Sequence, residues 1–169
     1  MLSEAMNKPH TFGNPTFLNQ MMQELDLFGT IDCAVCCLDS INHLTSKEDV
    51  KKAIERVSLF LNDGGVFIFD VNTLYKHKEV LGDNTFVYDT DSTYCVWQNN
   101  FDDEDGSVSI FLDFFEKQED GSFERYEENF SEYFYDDDFL TATLFQNDLK
   151  VLEKYDDFSL YEGWVSLIK

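Results

Sequence analysis

Ile31-Asp32-Cys33-Ala34-Val35-Cys36-Cys37-Leu38 and Val66-Phe67-Ile68-Phe69 are the two stretches whose reading decides the fold. Both are near-continuous apolar runs, the pattern of strands buried on both faces of a parallel sheet. A helix stands between them. Ser46 is its N-cap, Glu48 and Asp49 are acids in its first turn, and Val50, Ala53, Ile54, Val57 and Leu61 recur at helical spacing. Asn62-Asp63-Gly64-Gly65 ends it with turn residues. Strands alternating with helices imply a parallel sheet with helices on its faces, and ligands bind such sheets beyond the carboxyl ends of the strands. Two such ends are on offer, Leu38-Asp39-Ser40 and Asp70-Val71-Asn72-Thr73.

Upstream of the first run, Met1 to about Thr11 reads as the end of a helix that begins earlier, with Pro9 limiting its continuation. Gly13-Asn14-Pro15 is a turn, and Thr16-Phe17-Leu18-Asn19-Gln20 is a short β-prone stretch. Downstream, the texture changes after Tyr88. Tyr94–Phe101, Ser107–Lys117 and Ser122–Tyr135 are aromatic-rich strands, and the turn pairs Asp105-Gly106 and Asp120-Gly121 make them a three-stranded antiparallel meander. Asp136-Asp137-Asp138 caps a helix from about Phe139 to Asn147, and Leu149–Tyr155 and Trp164–Ile168 are closing strands. The expected architecture is α/β: one domain over residues 1–169, with 88–135 inserted as an antiparallel lid.

Composition narrows the function. Hydrophobic residues make up 43% of the 169 residues and aromatics 16%, enough for a packed core. Acids outnumber bases 34 to 12, for a net charge of −22 that repels phosphate backbones and disfavours nucleic acid as a partner. No apolar run is long enough to span a membrane, and the first residues carry no secretory pattern, so a cytoplasmic protein is expected. The cysteines Cys33, Cys36, Cys37 and Cys95 read as reduced, buried thiols. With His10, His43 and His77 scattered, no metal site is expected. Asp102-Asp103-Glu104-Asp105 reads as a solvated hairpin tip, with calcium as the alternative.

Residues 31–44 resemble the fourth strand and following turn of class I S-adenosylmethionine-dependent methyltransferases. Residues 60–73 resemble their next helix end, Gly-Gly turn and fifth strand, and the meander from Tyr94 to Tyr135 is similar to the substrate lid of a bacterial subgroup. The resemblance implies a truncated Rossmann-like sheet, S-adenosylmethionine as cofactor and methyl transfer to an unknown acceptor, with a small molecule compatible. It places Leu2, Gln20, Met21, Met22, Leu38 and Asp39 on the cofactor side. It places Asn42, His43, Asn72, Tyr75, Trp97, Arg125 and Tyr135 on the acceptor side.

The resemblance also implies departures. The family's Gly-rich cofactor loop and the acid that follows belong before a stretch like Met1–Ala5, and no Gly-x-Gly-x-Gly pattern stands in for them here. Met21 stands where family members often carry an acid. Phe130 and Tyr133 stand where a lid His and Arg are found in similar enzymes. The family sheet runs three, two, one, four, five, seven, six, so the missing strands belong at its centre. Strand 31–38 is then expected to offer an unpaired apolar edge, either to 16–20 or to another copy in a homodimer or larger assembly. The alternative to an enzyme is a non-catalytic binding or oligomerising remnant.

Overall fold

The computed structural model describes residues 2–9, 13, 15–156 and 161–168; of these, side chains are described for 3–9, 13 and 15–155. Two four-stranded sheets make up the fold. The first has the order β1-β2-β8-β7, with β1 Ile31–Cys36, β2 Leu61–Asn72, β7 Leu149–Asp156 and β8 Tyr161–Ile168. The second runs β3-β4-β5-β6, with β3 Thr85–Asp89, β4 Thr93–Phe101, β5 Val108–Lys117 and β6 Phe123–Glu132. Among the described residues three α-helices join them: α1 Leu2–Asn7, α2 Lys47–Phe60 and α3 Asp137–Gln146.

The two deciding runs lie side by side and parallel, Cys33 opposite Val66 and Val35 opposite Ile68. Helix α2 makes the crossover. The Ser46 hydroxyl oxygen accepts from the Asp49 N–H at 3.1 Å and donates to the Asp49 carboxylate at 2.7 Å, so the N-cap satisfies a free donor of the first turn. Val50, Ala53 and Ile54 form the buried face. At the return into β2, Gly64 sits at φ +76°, a conformation costly for other residues. A Cβ at Gly65 would lie 2.8 Å from the Asn62 carbonyl oxygen and 3.1 Å from that of Asp32. Glycine there lets β2 start tight against β1.

Burial corrects one reading. Neither strand is buried on both faces: β2 alternates, with Phe67, Phe69 and Val71 inside and Ile68 exposed. On β1, Ala34 and Cys36 pack on the core while Cys33 and Val35 face out. Helices α2 and α3 join the core cluster on the inner face through Val50, Ala53, Ile54, Leu140 and Leu144. On the outer face Cys33, Val35 and Ile68 are exposed. The thiols follow: Cys33 and Cys37 are exposed, Cys36 is half-buried and Cys95 is buried. Burial raises the Cys36 thiol from 9.0 to about 11.

Residues 16–20 form no strand. They run extended into a 3₁₀ turn at Met22–Glu24, pinned because the Asp26 N–H donates to Gln20 Oε1 and Gln20 Nε2 donates to the Asp26 carbonyl. Arg56 of α2 donates to the Leu25 carbonyl and holds this segment against the helix instead of the sheet. Helix α1 stops before Pro9; Met1 and residues 10–12 and 14 lie outside the described residues.

The meander has four strands, not three. Thr85–Asp89 pairs antiparallel with β4, and the sheet ends at Glu132. The β-prone run Thr85-Phe86-Val87-Tyr88 gave that signal just upstream of the expected boundary. Leu81, Val108 and Ile110 form a separate small core beneath this sheet. The closing strands β7 and β8 form an antiparallel pair, and β8 also pairs antiparallel with β2.

Candidate functional site

Chemistry gathers where β1 and β2 end. After Cys36 the chain turns sharply, with Leu38 at φ +60° and Asp39 at φ +49°. Neither is a glycine, so the turn stores strain that its surroundings must hold. Asp70 holds it: its carboxylate accepts from the Leu38 N–H at 3.1 Å and the Asp39 N–H at 3.2 Å. Leu38 is left exposed at the tip.

Asn42 fastens three segments. Its Oδ1 accepts from the Asn72 N–H at 2.8 Å, and its Nδ2 donates to the Tyr133 carbonyl at 2.8 Å. Its own carbonyl accepts from the Tyr133 N–H. The loop after β1, the end of β2 and the end of β6 are thereby locked together, with Asn42 fully buried.

Charged groups fill the space this leaves. Asn72 Nδ2 donates to Asp39 Oδ2 at 2.9 Å and to Glu132 Oε2 at 2.6 Å. Lys76 Nζ donates to Asn72 Oδ1 at 2.9 Å and lies 3.6 Å from Asp39 Oδ2. His43 Nε2 is 3.8 Å from Asp39 Oδ1, and its ring lies 5.2 Å from that of Phe130. His77, fully buried, bonds the Gly106 carbonyl through Nδ1 at 2.9 Å and turns Nε2 toward Glu132 Oε2 at 3.4 Å. Burial pushes the Glu132 carboxyl up. The adjacent His77 imidazole, the Asn72 amide and His43 more than reverse that, so the group ends below the usual carboxylate range.

A groove of about 440 Å³ opens beside the bare edge of β1. Met21, Met22, Cys36, Cys37, Ala53 and Phe67 line it, and Gln20 and Ser40 are its polar side chains. Such a lining fits a flat, largely apolar ring and not a charged carboxylate or a ribose diol.

The expected site residues therefore separate. Gln20, Met21 and Met22 share the groove, while Leu38, Asp39, Asn42, His43 and Asn72 meet at the strand ends. Leu2 lies in the first turn of α1, and its side chain falls outside those described. Tyr75 is exposed at the start of a π-helical turn, Lys76–Leu81. Three residues are engaged elsewhere. Tyr135 is a buried core residue whose hydroxyl donates to the Leu44 carbonyl. Trp97 packs on the second sheet's own core and donates to Asn99. Arg125 pairs with Asp113 and Glu127, seven residues from Glu132, roughly 23 Å along a strand. Sequence reasoning missed Lys76, His77 and Glu132 as partners; Glu132 lies one residue before Tyr133 in a stretch read for other positions.

The solved structures decide the family. A crystal structure of an S-adenosylmethionine-dependent methyltransferase from Clostridium acetobutylicum ATCC 824 matches 99% of this chain with a TM-score of 0.88 and 33% identity, and the match covers 70% of that chain. This chain belongs to the S-adenosylmethionine-dependent methyltransferases.

Curated relatives agree. The chain is 34% identical over 116 residues to "Putative methyltransferase YqeM" of Bacillus subtilis (strain 168), covering 68% of this chain and 47% of that protein. It is 29% identical over 143 residues to "Putative methyltransferase GWCH70_2453" of Geobacillus sp. (strain WCH70), covering 85% and 58%. The chain thus spans about half the length of the curated methyltransferases it matches. No family model matches. With this kinship the mixed first sheet is part of a methyltransferase's sheet, and the second is its antiparallel insertion. In the described residues of this methyltransferase no helix is long and apolar enough to cross a membrane.

Proposed function

We propose that this chain serves S-adenosylmethionine-dependent methyl transfer, supplying the acceptor side of the site and the seat for the cofactor's adenine. The observation that carries the reading is the strained Leu38–Asp39 turn at the end of β1, which delivers Asp39 into a buried network of opposite charges. Buried ion pairs are weak sources of stability, and perturbed carboxylates gather at functional sites. The bound cofactor supplies an electrophilic methyl group on a sulfonium.

The chain's own residues do the rest. Gln20, Met21 and Met22 line the groove where an adenine would lie, with Leu2 beside them by resemblance. Leu38 and Asp39 would face the cofactor's other end. Asn42, His43, Asn72 and Tyr75 would border the acceptor, with Lys76 and Glu132 fixing Asn72. Methyl transfer depends mainly on positioning and exclusion of water, which a rigid network provides. An acidic crevice suits a small-molecule acceptor that carries positive charge.

The reading extends to β1's free edge. Val35, Leu38, Met21 and Phe28 are all exposed large apolar side chains on or near β1, whose far edge has no partner strand among the described residues. We take this edge as the contact for a homo-oligomer. Light scattering is expected to give more than one copy per particle, and Val35→Lys to return a monomer. A wild-type monomer at high concentration would refute the contact.

Calorimetric titration of the chain with S-adenosylhomocysteine tests the main claim. One-to-one binding, weakened by Met21→Asp, is expected. An absence of heat at millimolar ligand would leave the non-catalytic reading in its place.

A further inference from the structure

The sequence offers no metal-binding spacing, yet the fold assembles one. Among the described residues, Asp39, His43 and Glu132 each bring a donor atom within 4.8 Å of the others. They come from the loop after β1 and from the end of β6, so no sequence pattern could show them together. Donors sharing one ion at about 2.1 Å lie about 3–4 Å apart; the 3.8 Å between Asp39 Oδ1 and His43 Nε2 already falls in that range.

A second observation points the same way. A carbonyl oxygen only accepts, so the 2.9 Å bond to the Gly106 carbonyl places the proton of His77 on Nδ1. His77 Nε2 is fully buried, has no hydrogen-bond partner, and lies 3.4 Å from Glu132 Oε2. A buried ring nitrogen left without a bond beside a carboxylate is an exception that positive charge bound at the cluster would account for. Lys76 supplies some, but at Asp39 Oδ2 and Asn72 Oδ1, on the far side of the Asp39 carboxylate from His43.

The geometry points to a divalent transition-metal site formed by Asp39, His43 and Glu132, with His77 behind Glu132. One imidazole and two carboxylates suit Mn²⁺ or Zn²⁺ better than Mg²⁺ or Ca²⁺, which prefer oxygen alone. The His43 side chain is 42% exposed, which gives the ion an entry path and leaves its remaining positions open to solvent or to an acceptor oxygen. Asn72 orients both carboxylates as an outer partner. The ion would share Asp39 and His43 with the methyl-transfer site, and its use on an acceptor rests on the function proposed above.

The full chain, freed of metal with a chelator, would be titrated with Mn²⁺ in a calorimeter and with Co²⁺ followed by its visible absorption. The expected result is one site per chain whose Co²⁺ spectrum reports nitrogen ligation. His43→Asn and Glu132→Gln are expected to weaken Mn²⁺ by about a hundredfold, and His77→Gln by roughly tenfold. His43 is partly exposed, so its variant keeps the fold even if Glu132→Gln does not, and circular dichroism checks both. Glu104→Gln, at the exposed hairpin tip, is expected to change nothing. No saturable site at millimolar Mn²⁺ would overturn the assignment. So would binding lost in Glu104→Gln but kept in His43→Asn, which would put the ion on the hairpin tip.

Discussion

The two sheets are built to opposite rules. The β3–β6 sheet is made of neighbours in sequence, each strand pairing with the next across a short connection. The β1-β2-β8-β7 sheet joins distant segments, pairing β2 with β8 some ninety residues later, and leaves β1 with one neighbour among the described residues. Local hairpins complete their own hydrogen bonding. A sheet built around a parallel pair depends on what the rest of the chain brings to it. The difference explains why the exposed edge and the apolar groove are on the first sheet. It also explains why the polar network lies where the two sheets meet.

The comparison breaks most visibly if the sheets share one core. Phe69→Ala in the first core is expected to cost about 3–5 kcal/mol, and Ile110→Ala in the second about 2–5 kcal/mol, by urea unfolding. In a Trp164→Phe background Trp97 alone reports the second sheet. Its transition should move strongly with Ile110→Ala and less with Phe69→Ala. Equal shifts would mean a single cooperative unit.

Asn72→Ala attacks the junction itself. It removes the donors shared by Asp39 and Glu132 and the acceptor of Lys76, leaving each of these buried groups short of one hydrogen bond. A loss of roughly 3 kcal/mol is expected, with the two sheets' transitions drawing further apart.

Acidity probes the same junction more gently. The Glu132 carboxyl is held below its ordinary value of 4.5 in the folded chain. The unfolded chain therefore binds the proton first as pH falls, and stability rises with pH through that window. The contribution is fully present above about 4.5 and is lost as pH drops through the lower folded value. Urea midpoints of the wild type should fall in acid more steeply than those of Glu132→Gln. Parallel curves would remove Glu132 from the acid sensitivity.

The smallest effect lies far from the junction. Ser46→Ala deletes the N-cap of α2 and should cost about 1 kcal/mol, lowering the melting temperature while leaving the Trp97 signal's shape unchanged.

Much of the fold was legible. Ser46, the spacing of Val50, Ala53 and Ile54, and the Gly64-Gly65 turn are local signals, and they produced helix α2 and the parallel pair around it. Asp105-Gly106 and Asp120-Gly121 likewise placed the hairpins. Thr16–Gln20 misled because β propensity needs an adjacent strand, and Arg56 and Gln20 hold that segment elsewhere. The apolar run 31–38 misled on burial for a related reason, since a run reads as two-sided whether or not both sides are covered. Of the residues gathered at the strand ends, Asp39 and Asn72 follow from their position after strands, while Asn42 and His43 came with the family resemblance. That Trp97, Arg125 and Tyr135 lie apart from them was not legible, because distance along a strand and burial in a core are invisible in one dimension.

What the sequence determined alone was most of the elements, because caps, turns and apolar spacing act over a few residues, and resemblance added their kinship. Tertiary structure decided which charges meet. Asp39, Glu132, His43 and His77 lie up to 93 residues apart, and only the locking of three segments by Asn42 brings them within reach of one another. Side-chain chemistry of that kind depends on distances of a few ångströms, which no pattern along the chain encodes.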